Sequence, residues 1–180
     1  MAACGFPGEP GRPAGAQQMA LAGFPDTGIQ MLKSGFERRR RIAIRDSAAW
    51  LTFWDTLVAL LPSPKPLAPP VNFDQDMVIA VAKGRNPEPE PTAAAAIGSA
   101  GRIMFATGGD SVALAQGPPW FAIYIDAVHE FGDDLWVEVR MVDSGRHCEI
   151  PRLWTPVAAV RVPKRDGYVT WIDRLEPVDC

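Results

Sequence analysis

Residues 77–82, Met77-Val78-Ile79-Ala80-Val81-Ala82, form a short, continuous apolar run that Gly84 closes. The run is too short for a typical helix and rich in β-branched residues. An uninterrupted apolar run of this length is typical of a strand buried on both faces. The sequence therefore predicts a sheet with a fully buried strand at residues 77–82.

Residues 36–44 alternate in polarity and predict a second strand. In an extended chain Ile42 and Ile44 share one face, while Arg39 and Arg41 lie on the other. The four consecutive arginines, Arg38 to Arg41, are therefore divided between two faces. We interpret this segment as an edge strand protected by charge, and the alternative is a basic patch for an acidic partner.

An amphipathic helix is predicted between these two strands. Asp46 occupies a typical N-cap position, and Pro62 is expected to end the helix. The spacing between them gives one broad apolar stripe. The stripe consists of Trp50, Phe53, Trp54, Leu57, Val58 and Leu61. Because both tryptophans lie on this stripe, we expect them in the core.

The remaining strands are predicted in the second half of the chain. Residues 120–128 and 135–142 alternate around a polar turn at residues 129–134, which predicts an antiparallel hairpin. Residues 157–162 and 168–172 predict a second hairpin around Asp166-Gly167. The expected fold is α+β, a mainly antiparallel β-sheet covered by one amphipathic helix.

Two segments differ in composition from this domain. Residues 1–33 are rich in Gly and Pro and are predicted to be a flexible tail or linker, which leaves residues 34–175 as a single domain. Residues 85–119 form a long insertion rich in Pro, Gly and Ala. A small hairpin is expected inside it, from residues 103–106 and 112–115.

The composition argues against several functions. The chain has 18 Lys and Arg against 21 Asp and Glu, a net charge of −3, so nothing attracts it as a whole to nucleic acid. It has two His and three Cys, too few for most metal or nucleophile sets. His129 is expected in an exposed turn, and His147 and Cys148, as extended neighbours, point apart. We therefore expect no catalytic residues, no metal and no cofactor.

Several short motifs follow one another along the chain. They are Ile44-Arg45-Asp46-Ser47 with Trp50 and Trp54, Pro70-Val71-Asn72-Phe73-Asp74, Met77-Val78-Ile79-Ala80-Val81, Gly84-Arg85, Ala122-Ile123-Tyr124-Ile125, Leu135-Trp136-Val137-Glu138-Val139, Cys148, Thr155-Pro156-Val157 and Val160-Arg161-Val162-Pro163-Lys164. Taken together, the order of these motifs resembles the C-terminal domain family of PrcB, a protease complex subunit. The resemblance spans residues 34–173. It departs at one element, because Pro118-Pro119-Trp120-Phe121 stands where the family has Pro-x-Gly-Gly-Tyr.

The resemblance implies a non-catalytic, extracytoplasmic protein-interaction domain that stabilises a protease complex. Its partner would be a protein, such as a secreted or surface protease. The expected contacts are Trp120, Phe121, Arg85 and Pro118. A proteinase inhibitor that uses the 85–119 loop is the alternative, and a small-ligand-binding protein or hydrolase is the second alternative.

The N-terminus bears on localisation. Small residues precede Cys4, as at the cleavage site of a bacterial lipoprotein, which predicts lipid attachment at Cys4 and no other contact with a membrane. Such a signal needs a charged and apolar stretch upstream of Met1. With that stretch we expect a periplasmic or cell-surface protein, and without it a cytoplasmic one.

Overall fold

A computed structural model describes residues 12–22, 29–31, 33–84, 104–105, 122–144 and 154–178. The elements in chain order are β1 (Gln17–Gln18), β2 (Ile29–Met31), β3 (Arg40–Ile44), α1 (Ser47–Leu57), β4 (Asp76–Ala82), β5 (Met104–Phe105), β6 (Ala122–Phe131), β7 (Asp134–Ser144), β8 (Val157–Pro163) and β9 (Val169–Val178). The strands form a four-stranded sheet, β1-β6-β7-β9, and a five-stranded sheet, β3-β4-β8-β2-β5. The α+β class and the mainly antiparallel pairing are as predicted.

Helix α1 begins at the predicted N-cap. The Asp46 carboxylate accepts a hydrogen bond from the Ala49 N–H at 2.8 Å. The predicted stripe is buried against the five-stranded sheet through Trp50, Phe53, Trp54, Leu57 and Val58. The helix ends at Leu57, ahead of the end predicted at Pro62.

Both helix tryptophans lie in the core, as predicted, and both have hydrogen-bond acceptors. The Trp50 indole donates to the carbonyl of Pro69 at 2.9 Å, and the Trp54 indole donates to that of Pro66 at 2.8 Å. A buried indole N–H needs such a partner. The proline-rich segment after the helix supplies both acceptors.

Strand β4 is buried on both faces, as its apolar run predicts. Val78, Ala80 and Ala82 pack in the cluster that contains α1. Their alternate neighbours Met77, Ile79 and Val81 pack in a second cluster with the four-stranded sheet. The five-stranded sheet is therefore the middle of three layers, between the helix and the other sheet.

The β6–β7 hairpin is present, but its turn is shorter than predicted. Strand β6 continues to Phe131 and β7 starts at Asp134, so Gly132 and Asp133 alone connect them. Gly132 has φ of +62°, a conformation that suits glycine. His129, predicted in the turn, is a strand residue opposite Trp136.

The second predicted hairpin is wrong. Strand β8 pairs with β4 and β2 in the five-stranded sheet, whereas β9 pairs in parallel with β7 in the other sheet. The connection is held at the β6–β7 turn, because the Gly167 N–H donates to the Asp133 carbonyl and the Tyr168 N–H to the Asp134 carboxylate. A Cβ at residue 167 would lie 2.3 Å from that carbonyl, so glycine is required there.

Two strands lie within residues 1–33, the segment assigned to a tail or linker. Gln17–Gln18 pairs with β6, and Ile29–Met31 pairs with β8 and β5. Ile29 is 1% exposed and belongs to the core around α1. The sheets therefore begin before residue 34. In the insertion, Met104–Phe105 forms β5, and the predicted partner strand at residues 112–115 lies outside the described residues.

Candidate functional site

The residues expected to bind a partner are not among those that the structure describes. They are Arg85, Pro118, Trp120 and Phe121. The same holds for Cys4, His147 and Cys148. These residues stay predictions from the sequence. The candidate site is formed by other parts of the chain.

Two edge strands, one from each sheet, are joined through their side chains. Among the strands that the structure describes, β3 pairs with β4 alone and β9 with β7 alone. Asp173 of β9 joins the two edges, because its Oδ2 accepts hydrogen bonds from the guanidinium groups of Arg39 and Arg41. We call this region, Arg38 to Arg41 together with β9, the open edge.

The alternation of side chains along β3 explains why Arg41 contacts Asp173. Ile42 packs against the helix cluster and Ala43 against the cluster between the two sheets. Arg41 shares the parity of Ala43, as the sequence predicts, and therefore faces β9. Its side chain stays 37% exposed and that of Arg39 46% exposed, so both can still reach solvent or a ligand.

The open edge carries more positive than negative charge. Lys83, directly after β4, donates to the Val142 carbonyl at 2.5 Å and to the Asp143 carboxylate at 3.3 Å. The pKa of Lys83 is lowered from its usual value, and burial is the largest cause. Asp143 opposes this effect, and the charge of Arg39 adds to it. Burial and Arg39 likewise lower the pKa of Arg41. The cations Arg39, Arg41 and Lys83 thus share the carboxylates Asp143 and Asp173.

An open groove of about 360 Å³ is lined by Arg39, Arg40 and Arg41. Arg40 lies on the opposite face of the strand from its two neighbours, yet all three reach the groove because β3 is at an edge. Among the described residues no carboxylate forms an ion pair with Arg40. The groove therefore offers guanidinium donors that suit carboxylate or phosphate oxygens.

Strand β9 adds a long backbone edge and an apolar side chain. It has ten residues, about 33 Å at the usual rise per residue. Leu175 is 63% exposed and shares the face of Asp173, two residues along the strand. Sequence analysis missed this part of the site because it placed β9 in a hairpin with β8.

A second polar cluster lies on the outer face of the four-stranded sheet. The His129 imidazole is 3% exposed, and its Nε2 lies 3.1 Å from Glu138 Oε1 and 3.2 Å from a guanidinium nitrogen of Arg12. Glu138 also pairs with Arg174 at 3.1 Å. The carboxylate orients the ring, as in many catalytic sites. Among the described residues, however, no hydroxyl or thiol group is hydrogen-bonded to the imidazole.

The neighbouring ion pairs on this face are structural in character. Arg140 donates to Asp126 at 2.9 Å and to Glu176 at 3.1 Å, and its guanidinium lies 4.2 Å above the Tyr124 ring. The hydrogen bond to Asp126 raises the pKa of Arg140, the effect being larger than the opposing burial. These contacts connect β6, β7 and β9.

Three other basic residues donate hydrogen bonds to the chain's own acceptors, and a fourth, Arg161, forms an ion pair. Arg45 donates to the carbonyls of residues 165 and 167, and Lys164 to that of residue 73. Arg165 pairs with Glu130, and Arg161 lies 3.6 Å from Asp76. They do not extend the arginine row of the open edge into a continuous basic surface.

Within the described ranges no group of three or more His, Cys, Asp or Glu side chains could hold a metal ion. No helix in those ranges is both long and apolar enough to cross a membrane. We compared the chain with models of known protein families, with curated proteins and with solved structures, and found no match in any of the three.

Proposed function

We propose that this protein is a non-catalytic protein-interaction domain that binds an extended segment of a partner at the open edge. The observation that carries the proposal is the ten-residue strand β9, whose outer edge pairs with no other described strand. An unpaired edge presents a row of backbone donors and acceptors, and many interaction domains bind a peptide as an additional strand there.

The partner is proposed from the resemblance to the PrcB C-terminal domain family. That resemblance supports an accessory subunit that stabilises a secreted or surface protease complex. In this role Trp120 and Phe121, behind Pro118 and Pro119, would provide a second contact besides β9. An extracytoplasmic location, with lipid attachment at Cys4, belongs to the same proposal.

Two other functions are tested by the same work. A proteinase inhibitor would bind its enzyme through the 85–119 loop and lower its activity, whereas an accessory subunit prolongs that activity. The oriented His129–Glu138 pair is the observation that favours a hydrolase or ligand-binding protein. A hydrolase would still need a nucleophile, and no described side chain supplies one to His129.

The test is capture of partners from the envelope fraction of the host with the full chain, followed by hydrogen exchange on the purified complex. We expect amides of β9 to gain protection in the complex. Leu175→Glu should lose the partner, because a charge on an edge strand opposes pairing with another strand. Leu67→Glu is the matched control, since Leu67 is 91% exposed and lies outside both sheets.

The results separate the hypotheses clearly. Protection confined to segments other than β9, with Leu175→Glu binding like the parent chain, would contradict binding at the open edge. Deletion of residues 85–119 tests the second contact in the same capture. The residual activity of a captured protease, followed over time with and without this protein, then separates stabilisation from inhibition.

A further inference from the structure

The arginine row, Arg38 to Arg41, determines which chemical groups the open edge prefers to bind. Asp173 is the carboxylate that Arg39 and Arg41 share, and both use the same oxygen, Oδ2. The other oxygen, Oδ1, is buried without a hydrogen-bond partner. One carboxylate thus serves two guanidinium groups, and the exposed Arg38 and Arg40 add further positive charge.

We propose that the partner segment is acidic, with carboxylates at alternate positions that bind Arg39, Arg40 and Arg41. This inference rests on the proposed function, because it specifies what binds at the same edge. A charge row alone would be a protected edge strand. Three features distinguish the open edge from a strand that is merely protected by charge: the groove, Asp173 shared by two arginines, and the exposed Leu175 beside Asp173.

The geometry of strand addition brings the carboxylates to the arginines. In a strand added to β9, every second side chain points to the same side as Asp173 and Leu175. That side faces β3 and its groove, since Asp173 itself reaches Arg39 and Arg41. Guanidinium groups bind carboxylates by two parallel hydrogen bonds, which favours Asp or Glu at these positions.

A nucleic-acid backbone fits the same surface less well. Asp173 lies against Arg39 and Arg41, Asp143 pairs with the neighbouring Lys83, and both carboxylates would repel closely spaced phosphates. The other basic residues, Arg45, Arg161, Lys164 and Arg165, are bound elsewhere in the chain. An acidic peptide can avoid this repulsion, because each of its side chains rotates separately and can place its carboxylate away from these negative charges.

The experiment measures fluorescence anisotropy of labelled twelve-residue probes with the full chain. The probes are peptides that alternate Glu with Val, Gln with Val, and Lys with Val, together with a twelve-nucleotide single-stranded DNA. We expect the Glu–Val peptide to bind at least about tenfold more tightly than the Gln–Val peptide, and added salt to reduce this difference. The Lys–Val peptide should bind most weakly.

Two substitutions act in opposite directions. Arg40→Gln should weaken binding of the Glu–Val peptide about three- to tenfold, since it removes a cation without breaking an ion pair of the fold. Asp173→Asn should strengthen binding, because the internal carboxylate no longer competes for Arg39 and Arg41. Lys65→Gln is the control of equal charge change at an exposed position outside the groove, and the Glu–Val affinity should not change.

The failures are distinguishable. Equal binding of the Glu–Val and Gln–Val peptides, with β9 amides protected by both, would overturn the acidic preference and leave strand addition intact. Tighter binding of the DNA than of the Glu–Val peptide, lost in Arg40→Gln, would assign the groove to nucleic acid. If neither peptide binds or protects β9, both proposals fail.

Discussion

The two sheets of this protein are built from different sequence patterns because they occupy different layers. The five-stranded sheet lies between α1 and the other sheet, and its strands β4 and β8 are apolar on both faces. Of the residues that the structure describes, those on one face of the four-stranded sheet pack in an apolar cluster, and β6 and β7 accordingly alternate between apolar and polar residues. The layer in which a sheet lies therefore determines the pattern of apolar and polar residues in its strands.

The difference also determines where a function can lie. A sheet covered on both faces can offer a ligand only its edges, and the edge of the five-stranded sheet bears Arg39, Arg40 and Arg41. The four-stranded sheet can offer its outer face as well as the edge of β9. The proposed binding region lies where these two edges meet.

The largest expected effect tests whether the middle sheet has two buried faces. Ile79→Ala should lower the free energy of unfolding by about 2–5 kcal/mol. Val78→Ala, on the opposite face of β4, should lower it by roughly 1.5–3 kcal/mol. Both side chains are fully buried. Urea unfolding followed by tryptophan fluorescence measures the change, and a loss below about 0.5 kcal/mol at either position would contradict the three-layer arrangement.

A smaller effect is expected on the outer face of the four-stranded sheet. Glu138→Ala removes the acceptor at 3.1 Å from His129, which is nearly fully buried. Leaving a buried polar group without its partner costs about 1–3 kcal/mol. Glu138→Gln keeps an oxygen acceptor and should lose less in the same urea titration. Equal stability of both variants and the parent would show that this pair makes no net contribution.

The helix that covers the middle sheet supplies the next effect. Asp46→Ala removes the N-cap hydrogen bond to the Ala49 N–H and should cost about 1 kcal/mol. Asp46→Asn, which retains an N-cap acceptor, is the matched control and should stay within a few tenths of a kcal/mol. Thermal unfolding monitored by circular dichroism compares the two variants, and a larger loss in the Asn variant would argue against the cap.

The sequence predicted those parts of the fold that short-range periodicity specifies. The apolar run of β4, the alternation of β3 and the spacing from Trp50 to Leu57 each lie within one element, and each was confirmed, but β3 begins at Arg40 and not at residue 36 as predicted. The Asp46 cap was also visible, because capping depends on a few adjacent residues.

The connection from β8 to β9 was predicted wrongly because its cause is not local. Asp166-Gly167 is typical of a hairpin turn, but Gly167 and Tyr168 are held by Asp133 and Asp134, over 30 residues earlier in the chain. The pattern of a turn gives no information about such a partner. The chain therefore crosses to the other sheet, where β9 pairs in parallel with β7.

The candidate site depends on the same long-range pairing. The arginine row was visible in the sequence, as was the alternative of an acidic partner. Its relation to Asp173 was not, because 132 residues separate Asp173 from Arg41. His129 was likewise placed in a turn, since nothing near it in the sequence indicates the contact with Arg12, which lies 117 residues earlier.

The smallest expected effect concerns Lys83, which joins the two sheets by donating from the end of β4 to the carbonyl of Val142 in β7. Burial is the main reason that its pKa lies below 10.5 in the folded protein. Between the lowered pKa and 10.5 the unfolded chain binds more protons than the folded one, so the unfolding free energy rises with pH in this window. The Lys83→Met variant lacks this contribution.

The measurement is the difference in unfolding free energy between the parent and Lys83→Met, followed from about pH 7 to about pH 10.5. We expect this difference to change in favour of the parent as the pH rises. Asp143 raises the pKa of Lys83, so Asp143→Asn should lower that pKa further and move the start of the rise to lower pH. A difference that instead falls with pH would mean that the ion pair with Asp143 outweighs burial, and that the contact between the sheets stabilises the charged amine.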